Sequence, residues 1–375
     1  MQKKNLLEKL ADNIVNFSLN AKKDEVVYVW ASPDSKPLVE MISKKCEEVG
    51  AVPLFHLHDE ELVKYFLKTL PDDEKIAANY IDDFLGVNHY LLDHSVAFIG
   101  IRSKDTDNPY EGVTQEKLVL WQKAVGKIFQ RFTKEKKWVI CDWPTVNQAE
   151  KANMSYEDFY DYALRVSAMN YQALFQKAVP LKELMDKTDH IHIKGKGTDL
   201  TFRKKGINTI IGAAKNSYID GEVYTAPLRD SIDGYLTYTI PSVYMGSRFE
   251  GVRFEFSKGK IVKATCDKGS EEMLNKILDM DAGSRYIGEF ALGINTEVTK
   301  PMDDIQYDEK NIYSFHFTPG QSYDEAPNGN DSSLHWDLVS MQTLEYGGGE
   351  IWFDGVLIKK DGLFVLPELQ SLNPD

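Results

Sequence analysis

No stretch of this 375-residue sequence approaches the roughly 20 consecutive apolar residues of a bilayer-crossing helix. The N-terminal string MQKKNLLEKLADNIVNFSLN carries charges through its apolar pattern, which excludes a signal-peptide core. Cysteine is scarce: Cys46, Cys141 and Cys266 are odd in number and too far apart for a CxxC redox motif or a zinc knuckle. These absences predict a cytoplasmic protein with no membrane partner. Basic excess is missing too, since 44 Lys and Arg face 58 Asp and Glu for a net charge of -14. Sequence-independent nucleic-acid binding needs clustered cations and is therefore not expected. No 20-to-50-residue repeat or low-complexity tract occurs, and no GxGxxG or GxxxxGK[ST] string marks a phosphate-cradling loop.

What is present is ordinary for a globular chain, with 42% hydrophobic and 27% charged residues. Its length favours two domains. Residues 2–19 space their leucines and isoleucines as an amphipathic helix, and apolar strands are expected at 25–31, 52–58, 95–101 and 138–143. Helical patterns at 36–49 and 114–136 lie between them, so the alternation predicts a parallel α/β sheet. A helix over 156–187 leads out of this domain. After it the texture turns to strands at 190–197, 199–206, 235–245 and 252–266, the last a hairpin around Ser257-Lys258-Gly259-Lys260, with a short helix at 270–280. The expected organisation is an α/β N-terminal domain over 1–178 and a β-rich α+β domain over 179–375.

The residues able to carry chemistry gather in that second half. His335 and Asp337 are two apart, which puts both side chains on one face of an extended segment but about 200° apart on a helix. His316, in IYSFHFTPG, alternates with Ser314 and Thr318 on the polar side of a strand, where a plain surface histidine is the competing reading. Glu222 lies in GEVYTAP and Glu289 in the apolar string IGEFALGIN; a carboxylate buried there needs a partner or a cation. By contrast His56 and His58, and His89 and His94, read as structural. Mixed His and carboxylate sets suit zinc, cobalt or manganese, and five such residues exceed what one catalytic zinc takes from protein. Two divalent ions activating a bridging water would be the economical use of them, with Tyr323 donating to the oxyanion.

The strings GTDL (197–200), NSYIDGEVYTAP (216–227), IGEFALGIN (287–295), His316 with Tyr323 seven residues on, and NGNDSSLHWD (328–337) resemble the M29 family of metallo-aminopeptidases. WPTVNQAEKANMSYEDF (143–159) adds a softer match. The resemblance implies Glu222, Glu289, His316, His335 and Asp337 as ligands of two metal ions, Tyr323 as the catalytic tyrosine, and Glu222 or Glu289 as a proton shuttle. It further implies peptide substrates with a free N-terminus and a homodimer. Pro319 and the short acidic segment between Tyr323 and His335 depart from the family pattern and point to altered substrate access. Rival readings are a two-metal amidohydrolase or dipeptidase on other small amides, and a non-catalytic peptide-binding homologue.

Overall fold

The computed structural model describes residues 2–106 and 108–374. They form two compact units, one running to Met169 and taking in Ala214–Ile219, the other comprising Asn170–Ala213 and the chain from Asp220 onward.

The first unit is the expected parallel α/β domain. Strands β1 (Val26–Ala31), β2 (Val52–Leu57), β3 (Ala97–Ser103) and β4 (Lys137–Trp143) lie in the order β2-β1-β3-β4, closed by the short strand Ser217–Tyr218, and all neighbours are parallel. Helix α1 (Gln2–Asp12) passes into a π-helical turn, Asn13–Ser18, and α2 (Lys36–Val49) ends on Gly50 in the left-handed conformation. Between β2 and β3 come three helices that the hydrophobic pattern did not disclose: α3 (Glu60–Thr69), α4 (Glu74–Phe84) and α5 (Gly86–Asp93). They span only 10, 11 and 8 residues, but Asp59 and Asp73 cap α3 and α4. With α6 (Gln115–Glu135) they bury Leu67, Ile81, Leu92, Trp121 and Phe132 around Tyr28 and Phe98 of the sheet. No helix among the described residues is long and apolar enough to cross a membrane.

The helix expected over 156–187 is two helices, Tyr156–Ser167 and Tyr171–Lys187. Asn170 ends the continuity: its side chain accepts from Ala173 N, capping the second helix. The segment 235–245 likewise divides into strands Asp233–Thr237 and Ser242–Tyr244, with Pro241 between, where no N–H is available for a ladder. The hairpin is as expected: Lys258 and Gly259 both take positive φ (49° and 82°) between strands Arg253–Ser257 and Lys260–Thr265.

The second unit is antiparallel, with an eight-stranded and a five-stranded sheet. The smaller one positions the chemistry. Its strands are β5 (Ile210–Gly212), β6 (Glu222–Thr225), β7 (Ile287–Gly293), β8 (Ser314–Pro319) and β9 (Val339–Met341), ordered β9-β8-β7-β6-β5. Phe290 of β7 and Phe317 of β8 meet Phe202 of the larger sheet, with ring centroids 5.1 and 5.2 Å apart, and Phe256 packs on Phe317 at 5.9 Å. One face of the small sheet is thus committed to a phenylalanine core between the two sheets.

Candidate metal centre

Because side chains alternate along a strand, fixing Phe290 and Phe317 on the core face sends Glu289 and His316 to the other. The register sets them side by side: Ala291 opposes His316, Glu289 opposes Thr318, and Gly293 opposes Glu222. That second face is closed off as well. Glu289 is 2% exposed and His316 1%, so the surface reading of His316 is excluded.

His335 and Asp337 arrive from the segment beyond β8. Gly320 takes φ 107° and forms a bridge with His335; a Cβ there would stand 2.0 Å from the Leu334 carbonyl. Gly288 in turn makes room for the Gln321 carbonyl, which would lie 2.2 Å from a Cβ at that position. Pro319 does not disturb this joint, for its carbonyl still accepts from Trp336 N. The acidic-looking segment before His335 is held by amides: Asn328 Nδ2 donates to the carbonyls of Pro227 and Ile287, and Asn330 Nδ2 to those of Gly283 and Gly320.

All five predicted ligand residues come together. Glu222, Glu289 and His316 each offer an atom within 4.8 Å of the others, and so do Glu289, His335 and Asp337. Glu289 belongs to both groups. Its Oε1 is 3.4 Å from His316 Nε2 and its Oε2 3.4 Å from His335 Nε2; Glu222 Oε2 is 3.3 Å from His316 Nε2, and Asp337 Oδ1 3.4 Å from His335 Nε2. Tyr323 lies beside them, its ring tilted by 56° to both neighbours, 4.9 Å from His335 and 5.3 Å from Tyr224.

Each imidazole is oriented by its other nitrogen. His316 Nδ1 lies 3.2 Å from the Glu309 carbonyl and His335 Nδ1 2.9 Å from the Gln321 carbonyl, so both rings donate from Nδ1 and turn Nε2 inward. Thr318 donates to Asp337 Oδ1 at 2.6 Å. Sequence reasoning missed Lys310, whose Nζ is 2.5 Å from Glu222 Oε1 and 2.8 Å from Glu309 Oε1. Nothing in the string YDEKN (307–311) separates it from a solvated loop, so no sequence signal pointed there.

Electrostatics make the donor set a trap for cations. Burial works against protonating the histidines, yet the carboxylates outweigh it: Glu289 and Glu222 raise His316 to about 9, and Asp337 and Glu289 raise His335 to about 12. Burial pushes Glu309 up to about 7; Tyr323 keeps 43% of its surface exposed, yet partial burial, helped by Glu289 and Asp337, still raises its hydroxyl above the usual value. Glu222 Oε2 and His335 Nε2 are buried without a hydrogen-bond partner among the described residues. A carboxylate oxygen and an imidazole nitrogen left so in a buried cluster of acids are costly unless a cation lies among them. The residues therefore fit divalent ions, and the mixture of imidazole and carboxylate is of the kind zinc, cobalt and manganese accept.

Donor set and setting are those of a metal-dependent hydrolase. The family model described as thermophilic metalloprotease (M29) matches residues 3–363, and the chain belongs to that family. Aminopeptidase AmpS of Bacillus subtilis (strain 168) is 27% identical over 322 residues, 78% of this chain and 77% of that one. Aminopeptidase T of Thermus thermophilus is 24% identical over 402 residues, covering 91% and 94%. The solved structure of wild-type AmpT from Thermus thermophilus shares the fold, with a TM-score of 0.79 over 97% of this chain and 100% of that chain at 21% identity.

Proposed function

We propose that the chain is an aminopeptidase that holds two divalent ions, zinc, cobalt or manganese, and removes the N-terminal residue of peptides. The observation that carries this reading is Glu289 shared between two ligand groups, each of its oxygens turned to a different histidine. Glu222 and His316 would hold one ion and His335 and Asp337 the other, with Glu289 between. Metal ions at such a site supply Lewis acidity to the scissile carbonyl and lower the pKa of water.

The chain's own residues do the rest. Both carboxylates face histidines, Glu289 through both oxygens and Glu222 through Oε2, but burial raises Glu222, whereas at Glu289 burial is outweighed by His316 and His335, which hold its carboxyl down. Glu222 is therefore the better proton carrier: it takes the proton of the attacking water and returns it to the departing amide nitrogen as the C–N bond breaks. Tyr323, kept protonated, donates its hydroxyl to the oxyanion.

Metal analysis combined with assays before and after chelation tests this. Two ions per chain are expected, with loss of Leu-p-nitroanilide and peptide hydrolysis on chelation, recovery with zinc, cobalt or manganese, and no cleavage of N-acetylated peptides. Failure to bind any divalent ion at micromolar concentration would overturn it. A cytoplasmic homodimer belongs to the same proposal: the three unpaired cysteines, two of them buried, support a reducing compartment. Sedimentation tests the dimer.

A further inference from the structure

Asp281 lies between helix Glu271–Leu278 and β7, and its carboxylate accepts hydrogen bonds from two separate parts of the chain. Oδ1 takes Gly283 N, Ser284 N and Ser284 Oγ of its own turn, at 2.9, 3.0 and 2.9 Å, and Ser332 Oγ at 2.8 Å. Oδ2 takes Ser333 N and Ser333 Oγ, both at 2.7 Å. The Ser333 amide and hydroxyl hold the Asp281 carboxyl well below the usual carboxylate range, so it is ionised at neutral pH. Bonds to an ionised acceptor are roughly twice as strong as those between neutral groups.

The segment gripped in this way is the one that delivers His335 and Asp337. Residues 332–334 belong to no strand, so no ladder holds them. Their other attachment is Gln321, whose Oε1 accepts from Ser332 N at 2.8 Å and whose N donates to the Leu334 carbonyl at 2.6 Å. The Gln321 carbonyl also accepts from His335 Nδ1. Asp281 differs from Gln321 in what lies on its own side: the chain runs from it directly into β7, which carries Glu289. One carboxylate therefore joins the approach to Glu289 with the approach to His335, far apart in sequence.

We propose that Asp281 is a positioning residue for the group of Glu289, His335 and Asp337, fastening Ser332–Leu334 to the turn before β7 and so fixing where His335 stands relative to Glu289. The inference rests on the two-ion reading above. Zinc titration of the metal-free full chain against a chelating indicator tests it. Asp281→Asn keeps an oxygen for Gly283 and Ser284 but sets an NH2 against Ser333 N, where two donors cannot bond. One of the two zinc affinities should fall by about tenfold, the low end for groups that orient metal ligands; it should be the one that His335→Ala abolishes, and the other should hold. Leu-p-nitroanilide hydrolysis should be lost at limiting zinc and return as zinc is raised. Ser332→Ala with Ser333→Ala, which leaves Asp281 bonded to its own turn, is the second arm and should weaken the same affinity. A role in stability alone would lower the melting temperature and leave both affinities in place; that result, or an equal fall in both affinities, would overturn the inference by itself. Wild type that takes up no zinc would overturn the two-ion reading and this inference together.

Discussion

The two units treat buried charge in opposite ways. Among the described residues of the first, the wholly buried polar side chains are Ser, Asn, Thr and Gln, and none is charged. Its inward carboxylate Asp142 is paired by Arg102 and Lys104. The second unit buries Lys204, Asp220, Glu222, Glu289, Asp308, Lys310, His316 and Lys359. Strands β3 and β7 make the contrast concrete: both are seven residues long and central in their sheets, but AFIGIRS is apolar until it nears solvent, whereas IGEFALG carries a glutamate at its third position. A central strand tolerates that only where something returns the desolvation energy. The first unit spends its burial on stability, and the second diverts part of it to a site.

Substituting the two strands separately should break or sharpen that contrast most. Glu289→Ala removes the carboxylate common to both ligand groups; activity should fall on the order of a thousandfold or more, equivalent to about 4 kcal/mol at the transition state, with metal content lost. Ile99→Ala in β3, at a fully buried position, should instead cost about 2–5 kcal/mol of stability while the folded fraction keeps its metal. Full turnover and full metal content in the Glu289 variant would sink the ligand assignment.

Much of this division was legible beforehand, for a physical reason. Strands and long helices declare themselves by period, so the parallel sheet, the hairpin at Lys258-Gly259 and the 115–135 helix could be placed. The residues that gather at the proposed metal site were legible because Glu289 contradicts its apolar surroundings and because His335 and Asp337 share a face only when extended. What escaped depends on contacts distant in sequence. Lys310 gains meaning only once Glu222 and Glu309 are beside it, and the Glu309 and Gln321 groups that orient the histidines are backbone carbonyls, which no side-chain pattern encodes. The break at Asn170 rests on a single capping bond inside an otherwise continuous helical pattern.

Tyr323→Phe separates ligation from catalysis within the second unit. Removing one oxyanion donor costs about a hundred- to thousandfold in kcat, and metal content should not change, since the ring keeps its place beside His335. An unaltered kcat would reassign Tyr323 to packing. A smaller effect is expected from Thr318→Val, which deletes the hydroxyl donated to Asp337 Oδ1. Supporting bonds to metal ligands are worth about 10–100-fold in affinity, so competition with a chelator is the measurement, and an unchanged midpoint would show that Asp337 is oriented by other means.

The mildest test concerns a buried cation away from the ligands. Lys359 Nζ donates to the carbonyls of Ile312 and Ser314, and burial lowers it to about 7. An unfolded lysine titrates near 10.4, so between about pH 7 and 10.4 the unfolded chain holds a proton that the folded chain has released. Stability from this group therefore rises with pH across that window, by up to about 1.4 kcal/mol per pH unit, and is lost as pH falls through 7. Denaturant melts at pH 7 and 9 should show a more positive change in stability for wild type than for Lys359→Met; the difference isolates this lysine, because His316 and His335, raised to about 9 and 12, pull the other way in both. The first unit buries no lysine among its described residues, so a slope that survives Lys359→Met would have to come from the other buried charges of the second unit, with Lys204, lowered by burial, the next to remove.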